Sequence, residues 1–197
     1  MKPIDFYFDY ASPWSYLASE LVEARLAGIE VRYVPIYIRG LESFASGMPY
    51  AGAKLAYLTQ DLQRCADHER VPLAPPAGFP VNGLHMLRGA LVADARGKRA
   101  EAHRALMRAT WAEGADTSDP SVVCAILART LGESAAAVAE AAASPEVKAK
   151  LREATDAAVK LGIFGVPTFA VARAAGDPEL FWGHDRMDYA ARAARRA

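Results

Sequence analysis

Apolar and aromatic side chains alternate with others over Ile4-Asp5-Phe6-Tyr7-Phe8, the two-residue period of a strand with unlike faces. A second β-branched and aromatic run, residues 29–38 (Ile29, Val31, Tyr33, Val34, Ile36, Ile38), predicts another strand. Between them the pattern from Pro13 to Ala27 is helical and stops at Gly28. A β-α-β unit of about 35 residues with so short a return predicts parallel strands and a right-handed crossover. Far along the chain, Thr168–Ala172 and Glu179–Gly183 read as two short strands separated by the turn residues Ala175-Gly176-Asp177-Pro178. The segment from Asp185 onward reads as a helix.

The middle of the chain predicts helices only. Leu55, Leu58, Leu62 and Cys65 mark one over residues 53–67, and Ala102, Leu106, Ala109 and Trp111 another over 99–113, with Trp111 as core. Asp119-Pro120 and Ser144-Pro145 each combine a capping side chain with proline at the first helical position. The first precedes Val122, Val123, Ile126, Leu127 and Leu131. The second precedes Val147, Leu151, Ala154, Ala158 and Leu161, with Gly162 as the stop. The alanine-rich run 135–143 predicts a short helix, and Pro75 to Asn82 a rigid loop leading into a further one.

With 197 residues, 52% of them hydrophobic, the chain can bury a sizeable core. The 23 Lys+Arg balance the 23 Asp+Glu, which argues against nucleic acid or an anionic membrane as partner and for a small molecule. No segment approaches the ~20 apolar residues of a membrane span, and the chain opens on a strand pattern, so a cytoplasmic protein is expected. Cys65 and Cys124 lie far apart in helical patterns and read as packed free thiols, neither a CxxC motif nor a metal cluster. His68, His85, His103 and His184 have no metal-ligand spacing, so no metal is expected.

Candidate chemistry begins at Ser12, which with Pro13 opens the first helix. Orphan N–H groups and the helix dipole favour an anion there. A serine without an adjacent base is a poor nucleophile, yet a good donor able to stabilise the thiolate of a bound thiol. The same Ser-Pro pair is also a common N-cap, and the two roles are compatible. Ser15 reads as a packed, helix-internal residue.

Strands and a helix, a helical block, then two strands and a helix is the order of an α/β thioredoxin-like fold with a large all-helical insertion. Residues 1–60 and 160–197 would form the discontinuous thioredoxin-like domain and 61–159 the insertion. Four blocks carry a more specific resemblance: Phe6-Tyr7-Phe8-Asp9-Tyr10-Ala11-Ser12-Pro13-Trp14-Ser15-Tyr16-Leu17-Ala18, residues 54–64 from Lys54, Phe164-Gly165-Val166-Pro167-Thr168-Phe169, and Phe181-Trp182-Gly183-His184-Asp185-Arg186-Met187-Asp188. On these blocks the chain resembles the 2-hydroxychromene-2-carboxylate isomerases, relatives of the kappa-class glutathione transferases in the DsbA-like branch of the thioredoxin superfamily.

The resemblance implies glutathione as cofactor, a small aromatic substrate, a homodimer, and a DsbA/kappa-type fold. It assigns Ser12 to the glutathione sulfur and a cis peptide before Pro167, with the Val166 backbone pairing with the cysteinyl part. Gly183, His184, Asp185 and Arg186 fall to the γ-glutamyl end, and Lys54 to the glycyl carboxylate. The planar substrate would meet Phe79 and Asn82, unless Asn82 only caps the helix that follows. Relatives commonly carry an asparagine a few residues before Lys54, where this chain has Met48-Pro49-Tyr50-Ala51-Gly52. A kappa-like transferase or peroxidase, or a non-catalytic glutathione-binding protein, stands as the alternative reading.

Overall fold

The computed structural model describes residues 1–196. Four strands, β1 (Ile4–Phe8), β2 (Val31–Pro35), β3 (Thr168–Val171) and β4 (Glu179–Trp182), form one mixed sheet in the order β2-β1-β3-β4. β1 and β2 are parallel across the helix α1 (Pro13–Arg25), while β3 runs antiparallel to both β1 and β4. The alternation along β1 decides what each face meets. Ile4, Phe6 and Phe8 point into the larger core with Phe169 and Val171, whereas Tyr7 joins Ile36, Ala158, Ile163 and Ala170 on the opposite face. Phe6 pairs in register with Phe169 and stacks on it at 5.0 Å between ring centroids.

Between β2 and β3 lie α2 (Gly52–Glu69), α3 (Leu84–Ala95), α4 (Arg99–Trp111), α5 (Pro120–Leu131), α6 (Ala135–Ala143) and α7 (Pro145–Lys160), and α8 (Met187–Arg195) closes the described chain. No single described helix is long and apolar enough to cross a membrane. The capping residues read from the sequence act as caps: the side chains of Ser12, Asp119 and Ser144 accept N–H groups from Ser15, Ser121 and Val147. One continuous core runs from the sheet through α1, α3, α4 and α5, so the helical block is packed into the sheet.

Most boundaries fall within two residues of the sequence expectation, and two departures bear on the site. β2 ends at Pro35 instead of continuing to Ile38, because the next N–H groups leave the sheet: Tyr37 donates to Thr155 Oγ1 at 3.0 Å and Ile38 to Asp9 Oδ2 at 2.8 Å. The chain then makes 3-10 turns at Ile38–Gly40 and Glu42–Phe44. The last helix starts later than Asp185, after a 3-10 turn over His184–Arg186 that follows Gly183 at φ 113°.

Within the helical block α3 is buried on almost every side, and Gly89 is where α5 comes closest. A Cβ built on Gly89 would lie 2.2 Å from Leu127 Cδ1. Gly89→Ala is therefore expected to destabilise the protein by about 1–3 kcal/mol through overpacking. Leu127→Ala in the same chain should cost less than it does alone. Chemical denaturation of the single and double variants measures both values, and additive costs would count against direct packing.

Candidate functional site

The site assembles where α1 begins. Asp9, which directly follows β1 and precedes the turn into α1, is fully buried and organises the approach. Its backbone carbonyl accepts the Ser12 N–H at 3.1 Å, Oδ1 accepts the Ala11 N–H at 2.9 Å, and Oδ2 accepts the Ile38 N–H. Oδ1 also packs so closely against Gly83, at the head of α3, that an added Cβ there would fall 2.2 Å from it. One carboxyl group thus holds together three segments: the Ser12 turn, the exit from β2 and the entry to α3. Burial pushes its pKa up to about 6, against the opposing pull of the two N–H donors and the charge of Arg39. In the sequence Asp9 is marked only as a lone acid inside the aromatic run Phe6 to Tyr10.

Ser12 is buried, and its Oγ accepts the Ser15 N–H at 3.2 Å, so the hydroxyl proton remains available to a ligand. No acidic residue occupies the first turn of α1 to offset the dipole. On one side of Ser12 opens an apolar cavity of about 540 Å³, walled by Phe44, Met48, Leu55, Leu62, Phe79, Val81 and Trp111. The loop that forms part of this wall is pinned by Tyr16 Oη–H to the Pro72 carbonyl at 2.6 Å and by the Ala74 N–H to the Trp111 carbonyl. Trp111 is core, as its spacing indicated, but it also faces this cavity, where it meets Phe79 edge-on. Its indole N–H donates to the Tyr10 carbonyl at 2.9 Å.

A second, adjoining cavity of about 620 Å³ is charged: Lys54, Arg64, Arg186, Asp61, Glu69 and Asp185 border it, with Arg186 donating to Asp185 at 2.5 Å and Arg64 3.9 Å from Asp61. Trp14, Phe44, Tyr50, Leu58 and Val166 border both spaces. The Val166–Pro167 peptide is cis, as the resemblance implies, and so is Phe79–Pro80. Neither the N–H nor the carbonyl of Val166 takes part in a hydrogen bond among the described residues. Pro167 is fixed from the other side, its carbonyl accepting the Gly183 N–H at 2.9 Å. Gly183 sits at φ 113°, a conformation side-chain-bearing residues rarely adopt, so a substitution there would be strained. His184 stacks on Trp14 with 5.2 Å between ring centroids, and burial lowers its pKa. Lys54 Nζ lies 4.8 Å from the centre of the Tyr50 ring.

Most of the residues singled out in the sequence therefore converge on the two cavities, with Phe79 in the apolar one and Lys54, Val166, Pro167, Gly183, His184, Asp185 and Arg186 in the charged one. Asn82 does not. It borders neither space, and its Oδ1 accepts the Leu84 N–H at 3.2 Å in the turn that leads into α3. Cys65 lies on the wall of the charged cavity, where burial and then the neighbouring Asp61 and Asp185 push its thiol pKa up. That environment suppresses a thiolate on the protein itself.

The DSBA-like thioredoxin domain model matches residues 3–194. The chain belongs to that family, within its isomerase group. Across the DSBA-like family it is 32% identical to a 2-hydroxychromene-2-carboxylate isomerase of Sphingobium xenophagum, with 95% of each chain covered. It is 26% identical to human glutathione S-transferase kappa 1, covering 95% of this chain and 88% of that one. A solved structure of 2-hydroxychromene-2-carboxylate isomerase superimposes with a TM-score of 0.81 at 32% identity, over 98% of this chain and 94% of the other. The DSBA-like fold accounts for both the mixed sheet and the helical block.

Proposed function

We propose that the protein is a glutathione-dependent isomerase acting on 2-hydroxychromene-2-carboxylate or a close analogue and yielding trans-o-hydroxybenzylidenepyruvate. The observation that carries the reading is the pair of adjoining cavities that share Trp14 and Val166, one of mixed charge and one apolar with Ser12 on its wall. Glutathione has two carboxylates, an ammonium and an extended peptide backbone, and the charged cavity offers a counterpart to each. Arg186 and Lys54 suit the carboxylates, Asp185 the ammonium, and the unpartnered Val166 N–H and carbonyl suit the peptide, as an added strand would. Bound there, glutathione supplies a thiolate that adds reversibly to the conjugated double bond of the ring-opened substrate, leaving a single bond free to rotate before elimination.

The chain's own part is to hold and align. The Ser12 hydroxyl and the first N–H groups of α1 favour the charged sulfur, while Phe79, Trp111 and their neighbours keep the planar substrate in a water-poor space. The raised pKa of Cys65 keeps a competing thiolate off the cavity wall. Calorimetry is expected to register glutathione binding that Asp185→Asn weakens about tenfold, the size of one charge-assisted contact. Isomerisation should stop when glutathione is omitted. Turnover that continues without any thiol would overturn the reading, and conjugation of a neutral electrophile without isomerisation would favour a kappa-like transferase.

A further inference from the structure

The apolar cavity holds one charged side chain. Of all the residues bordering it only Arg39 is ionised at neutral pH. Some arginines elsewhere are paired, among them Arg25 with Glu69, Arg96 with Glu133 and Arg108 with Glu20, and others such as Arg88, Arg129 and Arg152 are not paired among the described residues, but none of these borders the apolar cavity. Arg39 has no ion pair or side-chain hydrogen bond among the described residues. The charge of Arg39 reaches Asp9 only through space: both carboxylate oxygens are directed at N–H groups of Ala11 and Ile38, and no contact within 4.0 Å joins Asp9 to the guanidinium.

The backbone beneath Arg39 is fixed on every side. The Ile38 N–H is held by Asp9, the Tyr37 N–H by Thr155, and the Gly40 N–H by the Tyr37 carbonyl at 2.9 Å. Gly40 packs so closely on α7 that an added Cβ would lie 2.8 Å from Thr155 Cγ2. A rigid main chain thus presents a guanidinium with all its donors uncommitted at the rim of a space otherwise lined by rings and aliphatic groups. A planar fork of donors matches a carboxylate better than any other small anion of an aromatic molecule.

We propose that Arg39 anchors a carboxylate of the ligand in the apolar cavity, making it the residue that selects a flat, apolar molecule with one acidic group over its neutral analogues. The assignment rests on the isomerase reading only in naming the substrate whose carboxylate is held. With Arg39 and Ser12 both bordering the cavity, the ligand would be held by its acid group with its conjugated portion toward Ser12.

The test uses Arg39→Ala and Arg39→Lys, assayed at saturating glutathione with the carboxylate substrate and with its methyl ester. Arg39→Ala is expected to raise KM for the acid about 10–100-fold, as loss of a charge-assisted pair does, and to leave KM for the ester unchanged. Arg39→Lys should recover part of the loss. Glutathione affinity, measured by calorimetry, should be the same in all three proteins, since Arg39 does not border the charged cavity. A second arm needs no turnover: trans-cinnamate binding to the wild type and to Arg39→Ala is compared calorimetrically, with cinnamamide as the neutral control. Equal losses for acid and neutral ligand, or no cinnamate binding to the wild type, would overturn the role of Arg39. Cinnamate binding that depends on Arg39 without any isomerisation would instead leave the anchor standing and remove the isomerase reading.

Discussion

Ser12→Ala should lower glutathione-dependent turnover by roughly 10²–10³-fold, the usual cost of deleting one preorganised donor to a developing or resident anion. The Ser12 Oγ receives the Ser15 N–H, which leaves its own proton as the free donor at the mouth of α1. The same substitution also removes a cap, at a cost of about 1 kcal/mol of stability. Ser12→Gly separates the two effects, because glycine at an N-cap costs only a few tenths of a kcal/mol relative to serine while supplying no hydroxyl. Both variants should therefore lose turnover together, and only the alanine variant should lose stability. Ultraviolet titration of the bound thiolate should show its pKa rising in both. Full activity in Ser12→Gly would leave Ser12 as a cap and nothing more.

The elements that the sequence announces most clearly are those closed by local chemistry. Ser12-Pro13, Asp119-Pro120 and Ser144-Pro145 fix three helix starts within their own first turns, and the side-chain bonds are all made. β2 is misjudged because its end is decided from a distance. Ile36 and Ile38 continue a strand pattern, but the N–H groups of Tyr37 and Ile38 are taken by Thr155 and Asp9. For the site, the legible residues are those in unusual local settings: a serine before a helix, a proline before a strand, a Gly-His-Asp-Arg turn. Those missed draw their significance from neighbours remote in sequence. Asp9 matters through Ile38 and Gly83, Trp111 through the loop it faces, and Arg39 through the absence of any charge opposite it within the cavity. Asn82 borders neither cavity, and its side chain closes the turn into α3 by accepting the Leu84 N–H at 3.2 Å.

Asp9 and His103 give the protein a pH response in which two buried groups oppose each other. His103 sits among Phe6, Phe8, Tyr10 and Tyr33, with its ring nitrogens 3.3 Å from Tyr10 Oη and 2.8 Å from Ser19 Oγ. Burial lowers its pKa to about 3, so the unfolded chain binds a proton there that the native state refuses between about pH 3 and 6.5. Stability from this group therefore falls as the pH drops through that window. Asp9 has the reverse sign. With its native pKa raised to about 6 by burial, the native state holds a proton that the unfolded chain has released between about pH 4 and 6, and stability falls as the pH rises. Each contribution is on the order of 3–5 kcal/mol, so over the shared interval they largely cancel. His103→Asn should expose the Asp9 limb, its stability relative to the wild type declining as the pH rises from about 4 to 6. Asp9→Asn should expose the His103 limb, with relative stability climbing over the same range. Denaturant titrations at intervals across that range measure the two difference curves. Their slopes must have opposite signs, because one group is an acid kept neutral by burial and the other a base kept neutral by the same cause. An Asp9→Asn difference curve that falls with pH would mean that the two N–H donors on Asp9 outweigh its desolvation, and that the clasp joining the Ser12 turn to the cavity walls is ionised at every pH in that range.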